Sequence, residues 1–152
     1  MHLVIDGYGK NPAILADRNV VYDLLDSFPG EIGMTKIAPP YVFRYIGSKP
    51  EDWGISGLVL IAESHISIHT FVDRALVNID VFSCKAFDAK MVTEKLQQKL
   101  HLTRIRSYLL DRGLEYADLP MSTPRLLEVP EMEDSEPQLV GVPSRHSRPT
   151  GR

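Results

Sequence analysis

The sequence predicts an α+β fold: a two-layer α/β sandwich whose mostly antiparallel sheet carries two helices on one face, with two copies dimerising into an αββα arrangement. Three observations predict it. Two neighbouring segments alternate with a period of two: Ile66, Ile68 and Thr70 oppose His65, Ser67, His69 and Phe71, and Val77, Ile79 and Val81 oppose Asn78, Asp80, Phe82 and Cys84. Two other segments carry helical apolar stripes, Val20, Val21, Leu24, Leu25 and Phe28, then Val92, Leu96 and Leu100. The outward face of the alternating strands is polar, little charged and mixed with Phe71 and Phe82, where a solvated face would carry Lys, Glu and Thr. A second copy related by a two-fold axis would cover such a face.

Taken in order, Leu3 to Ile5 read as a short strand ending at Asp6-Gly7. A helix begins between Asn11, with Pro12 suited to the first helical position, and Asp17, and Pro29-Gly30 stops it. Thr35 to Tyr45 is extended but interrupted at Pro39-Pro40, which marks an edge or a bulge. Gly47 to Trp53 is a loop, and the apolar run Gly57 to Ala62 reads as a central strand buried on both faces. After the two alternating strands, Asp88 caps the second helix, and Leu102 to Leu110 form the last strand, closed by Asp111-Arg112-Gly113. The expected order is β-α-β-β-β-β-α-β.

Composition divides the chain into a domain over residues 1–119 and a tail over 120–152. Those last 33 residues hold six of the eleven prolines, an acidic cluster (Glu128, Glu131, Glu133, Asp134, Glu136) and a basic end, without helical or strand period. Such a stretch is expected to be largely disordered, a dispensable extension or an interaction flap. The formal charge of −3 provides no field for nucleic acid or an anionic membrane, and neither is an expected partner. Met1-His2-Leu3 runs straight to Asp6 without a basic region or a secretory core, and the single cysteine, Cys84, forms no disulfide framework. A cytoplasmic protein is expected.

The residues that carry chemistry are Glu63-Ser64-His65-Ile66-Ser67-Ile68-His69-Thr70 and Asp80-Val81-Phe82-Ser83-Cys84. His65 and His69 share a strand face but lie about 13 Å apart at strand rise, too far to share one metal ion, and no metal is expected. The Gly-x-Ser-x-Gly elbow of a serine hydrolase is absent. A Cys84 nucleophile activated by His69 would need an orienting partner that the sequence does not show. Strand parity places Cys84 on the polar face with both histidines. His2, His101 and His146 take no role.

The octapeptide resembles the processing site of the prokaryotic S-adenosylmethionine decarboxylases, small pyruvoyl enzymes of polyamine biosynthesis. The resemblance continues through Gly54-Ile55-Ser56-Gly57 and Asp80 to Cys84 and spans residues 2 to 119. It implies a proenzyme that cuts itself between Glu63 and Ser64 into a β chain, 1–63, and an α chain, 64–152. The Ser64 hydroxyl would attack the Glu63 carbonyl to form an ester. Elimination and loss of ammonia would then leave a pyruvoyl group at residue 64. On this resemblance Ser56 holds the oxyanion of the cyclic intermediate, His69 abstracts the α-proton that drives elimination, and Cys84 reprotonates the substrate carbon after decarboxylation. The pyruvoyl group, acting through a Schiff base to the substrate amine, takes the place of pyridoxal phosphate, and no PLP is expected.

The same resemblance names S-adenosylmethionine as substrate. Family members usually follow His-Thr with an aromatic residue, Pro and Glu, whereas this chain reads Phe71-Val72-Asp73. Phe71 keeps a stacking face for adenine, and Tyr45 or Phe43 supplies the second wall. Asp73 is one methylene shorter than the ribose-binding Glu. The alternative is pyruvoyl chemistry on L-arginine or L-ornithine, with Asp73 receiving the distal cation. A third reading is a non-processing partner subunit.

Overall fold

A computed structural model describes residues 1–110. The expected tail over 120–152 and the Asp111-Arg112-Gly113 turn lie outside the described residues. The strands are β1 (His2–Gly9), β2 (Tyr41–Ile46), β3 (Trp53–Ile61), the two alternating segments β4 (Ser64–Phe71) and β5 (Leu76–Ser83), and β6 (Leu102–Leu110). They make one six-stranded sheet in the order β2-β3-β4-β5-β1-β6, and every pairing is antiparallel. Helices α1 (Pro12–Ala16), α2 (Arg18–Glu31) and α3 (Ala89–Lys99) complete the second layer. Helix α2 packs on β2 and β3, and α3 on β1 and β6. Between the layers lie Ile5, Val21, Leu25, Phe28, Val59, Ile66, Ile68, Ile79, Val92 and Leu96.

Several boundaries differ from the sequence expectation, each for a local reason. The first helix is two helices, because both candidate caps act. Asn11 Oδ1 accepts from Ala13 N–H at 3.0 Å, and Asp17 Oδ1 accepts from Asn19 N–H at 2.8 Å. Pro29-Gly30 does not end α2. The helix runs to Glu31 and is closed by a Schellman turn at Gly33, whose φ is +74°: Met34 N–H donates to Pro29 C=O at 2.8 Å and Gly33 N–H to Gly30 C=O at 3.2 Å. The extended stretch from Thr35 resolves into a single bridge, Lys36 to Ile61, and the six-residue β2.

Strand β3 begins at Trp53, earlier than expected. Its outer face is exposed at Leu58 (37%) and Leu60 (40%), so it is not the doubly buried strand the apolar run predicted. Glycines set its contacts with its neighbours. A Cβ at Gly54 would lie 1.7 Å from the Thr70 carbonyl oxygen, and one at Gly57 would lie 2.6 Å from Leu25 Cδ1 on α2. Buried Thr70 ties the layers together: its hydroxyl donates to Leu15 C=O and accepts from Ile55 N–H, both at 2.8 Å. Beyond β4 the chain turns through a 3-10 helix, Val72–Arg74.

Candidate active site

Strands β3 and β4 join in the tightest connection available. Ile61 pairs with Ser64, leaving only Ala62 and Glu63 at the tip. Two neighbouring segments hold this tip through three hydrogen bonds. Thr35 C=O accepts from Ala62 N–H at 2.8 Å, Thr35 N–H donates to Glu63 Oε2 at 3.1 Å, and Cys84 N–H donates to the Glu63 carbonyl at 3.0 Å. The last bond continues the β4–β5 ladder one step beyond the Ser64–Ser83 pair. Cys84 therefore lies outside β5, exposed, next to the Glu63–Ser64 peptide. Buried Ser83 fixes the turn that aims this N–H: its hydroxyl donates to Lys85 C=O at 2.8 Å and accepts from Lys85 N–H at 3.0 Å.

Ser64 has φ of +154°, a conformation that costs a non-glycine residue about 1–3 kcal/mol. The strain has a geometric consequence. In an L-residue Cβ is rotated about 120° from the carbonyl carbon around N–Cα, so this φ brings Cβ to within about 35° of eclipsing the preceding Glu63 carbonyl carbon. An ordinary strand φ would leave it about 120° away. Near-eclipsing is what closure of a five-membered ring through Oγ requires, and the Ser64 hydroxyl is thereby biased toward the Glu63 carbonyl. Ser64 Oγ also lies 3.3 Å from His65 Nδ1, and the His65 ring stands edge-on to Phe82 with centroids 5.7 Å apart.

A second cluster lies further along the outer face. Ser56 and His69 are cross-strand partners, and Ser56 Oγ and His69 Nδ1 share a hydrogen bond of 3.0 Å. They line a cavity of about 600 Å³ with Tyr45, Asp52, Trp53, Gly54, Thr70, Phe71 and Arg74. They also line an adjoining recess of about 410 Å³ with Tyr41, Phe43, Gly57, Leu58 and Ser67. Arg74 pairs with Asp52 at 2.7 Å, and Arg44 stacks 4.7 Å over the Trp53 ring. Asp73 accepts from Trp53 Nε1 at 3.0 Å and is absent from the cavity lining.

The predicted residues thus fall into two groups. Glu63, Ser64 and Cys84 meet at the tight turn. Ser56 and His69 meet at the cavity, with Tyr45, Phe43 and Phe71 around them. The groups do not meet within one chain: Ser64 and His69 are five residues apart on β4, about 16 Å at strand rise. Sequence reasoning missed Thr35, Trp53 and Asp52. Their contacts join positions 20 to 28 residues apart and leave no local pattern.

The family model for S-adenosylmethionine decarboxylase matches residues 1–113 of this chain. The chain belongs to that family. An S-adenosylmethionine decarboxylase proenzyme from Archaeoglobus fulgidus is 34% identical over 119 residues, 74% of this chain and 96% of that relative. Another proenzyme of that name, from Pyrococcus furiosus, is 27% identical over 118 residues, 77% of this chain and 81% of the relative. The crystal structure of the adenosylmethionine decarboxylase from Aquifex aeolicus VF5 matches with a TM-score of 0.62 at 25% identity, covering 82% of this chain and 95% of that one. The expected α+β sandwich is the fold of this family, and the protein is a decarboxylase. Among the described residues no helix is long and apolar enough to cross a membrane. None of the described His, Cys, Asp and Glu residues form a group of three or more that could hold a metal ion.

Proposed function

We propose that this chain is a cytoplasmic proenzyme that cuts itself between Glu63 and Ser64 and, as a homodimer, decarboxylates S-adenosylmethionine. The observation that carries the reading is the Glu63–Ser64 peptide: a two-residue turn, strained at Ser64, with the Glu63 carbonyl held by Cys84 N–H. That N–H is placed to polarise the carbonyl and to take up negative charge as the hydroxyl attacks. The turn suits a pyruvoyl group made from Ser64, because the residue that must change lies at the mouth of a hairpin beside an exposed thiol. Once formed, that group supplies an electrophilic carbonyl and an electron sink for loss of carbon dioxide. Cys84 holds the proton for the substrate carbon.

The roles of Ser56 and His69 require a second chain. Their own Ser64 is out of reach, and the outer face that bears them exposes Tyr41 (59%), Phe43 (63%) and Tyr45 (61%) alongside Leu58 and Leu60. A two-fold pairing over this face buries the aromatic surface and brings the Ser56–His69 pair of one protomer to Ser64 of its partner, twice per dimer. The imidazole then abstracts the Ser64 α-proton and splits the ester. The cavity favours a nucleoside sulfonium over arginine or ornithine. Its lining carboxylate, Asp52, is engaged by Arg74, and Asp73, outside the lining, is held by Trp53, while Tyr45, Trp53 and Phe71 present aromatic surface to a base or a cation.

Intact mass under denaturing conditions tests the reading. The protein is incubated with cyanoborohydride and an equimolar mixture of S-adenosylmethionine, arginine and ornithine. Two chains, with the S-adenosylmethionine adduct on the chain that begins at residue 64, are expected. An arginine or ornithine adduct would replace the substrate assignment, and one uncut chain without adduct would overturn the function.

A further inference from the structure

We infer that His65 is the general base for the first half of self-cleavage, acting within its own chain, while the His69 pair serves only the second half. The inference rests on the self-cleavage reading and adds a catalytic residue to it. Conversion of the Glu63–Ser64 amide to an ester requires removal of a proton from Ser64 Oγ, a weak nucleophile as the free alcohol. In the described structure the basic group in contact with that oxygen is the His65 imidazole, at 3.3 Å, a separation of the kind that tightens when a reacting centre closes. In the Nε2–H tautomer, Nδ1 presents a lone pair to the hydroxyl. The ring is steadied by its edge contact with Phe82 and is half-buried.

The step balances without any co-reactant. As the Ser64 Oγ–C bond to the Glu63 carbonyl forms, the hydroxyl proton passes to His65 Nδ1 and negative charge gathers on the oxygen held by Cys84 N–H. As the Glu63 C–N bond breaks, the imidazolium returns its proton to the Ser64 nitrogen, leaving an ester and a free amine. Ser64, His65 and Cys84 N–H all lie on one chain, whereas His69 is about 16 Å along the strand. The chemistry thus divides: the amide-to-ester shift needs one protomer, and elimination needs two.

Hydroxylamine, which cleaves esters and spares amides, separates the halves. In full-length His69→Ala the ester accumulates, and hydroxylamine releases 1–63 from 64–152. In His65→Ala/His69→Ala, and in the Gln counterpart at 65, the releasable fraction at a fixed time is expected to fall at least tenfold. Adding imidazole restores it to the Ala variant, a recovery that a packing role for His65 would not give. An unchanged fraction in the double variant, or a lost fraction that imidazole leaves lost while circular dichroism matches the parent, would overturn the inference. A His69→Ala chain that yields no ester at all, beside a wild type that stays whole, would instead sink self-cleavage.

Discussion

Relief of backbone strain at Ser64 is the most quantitative consequence of this geometry. Ser64→Ala and Ser64→Gly both lack the hydroxyl, so both remain uncut and can be compared as intact chains. Alanine retains a Cβ at φ of +154°, whereas glycine enters that region freely. Removing the strain contributes about 1–3 kcal/mol, and the greater freedom of glycine in the unfolded chain offsets about 0.5–1 kcal/mol. Taken at the middle of both ranges, Ser64→Gly should therefore be more stable than Ser64→Ala by about 1 kcal/mol, the reverse of the usual order in a strand. At a urea m-value of about 2 kcal/mol/M this moves the midpoint upward by about 0.5 M. Both variants must be unfolded at one protomer concentration, because association contributes to apparent stability. Equal midpoints, or a more stable alanine variant, would refute the strain and with it the claim that Ser64 is poised for ring closure.

Other expectations follow from neighbouring contacts. Cys84→Ala keeps the backbone N–H that holds Glu63, so it should still process in an intact-mass assay while turnover falls by about 10²–10⁴. Trp53→Phe removes the indole N–H that Asp73 accepts and keeps aromatic surface, so KM should rise about 5–10-fold with normal processing. Gly54→Ala drives a methyl into the Thr70 carbonyl and should cost about 3 kcal/mol by denaturation. The hydrogen bond from Lys99 holds the Glu31 carboxyl below its usual range. Its stabilisation is therefore present above the unfolded carboxylate range and lost as pH falls through the depressed one, so Glu31→Gln should destabilise at neutral pH and match wild type in acid.

Much of the fold was legible because β4 and β5 are half-buried strands, in which Ile66, Ile68, Ile79 and Val81 must alternate with polar residues. What was misread depended on contacts between distant segments. Pro29-Gly30 carries a stop signal, yet the terminating bonds form around Gly33, where the chain leaving the helix enters the left-handed region. Strand β3 was expected only from Gly57 because Gly54 weakens the strand pattern, although the close approach of the Thr70 carbonyl is what requires a glycine there. The octapeptide pointed to the chemistry, but its contiguity concealed the distance: residues 64 and 69 belong to one motif and to opposite ends of one strand. Strand spacing contained that separation, and the cross-strand Ser56–His69 pairing made it plain.

The claim that two chains build each site is tested most directly by complementation. Ser64→Ala and His69→Ala chains, distinguished by mass, are expressed separately and together. Each alone should fail to yield a pyruvoyl terminus. Together, the His69→Ala chain should be cut after Glu63 and carry the pyruvoyl group, because its partner supplies His69, while the Ser64→Ala chain stays whole. If the His69→Ala chain matures alone, or stays unconverted in a demonstrated mixed dimer, the shared site is wrong.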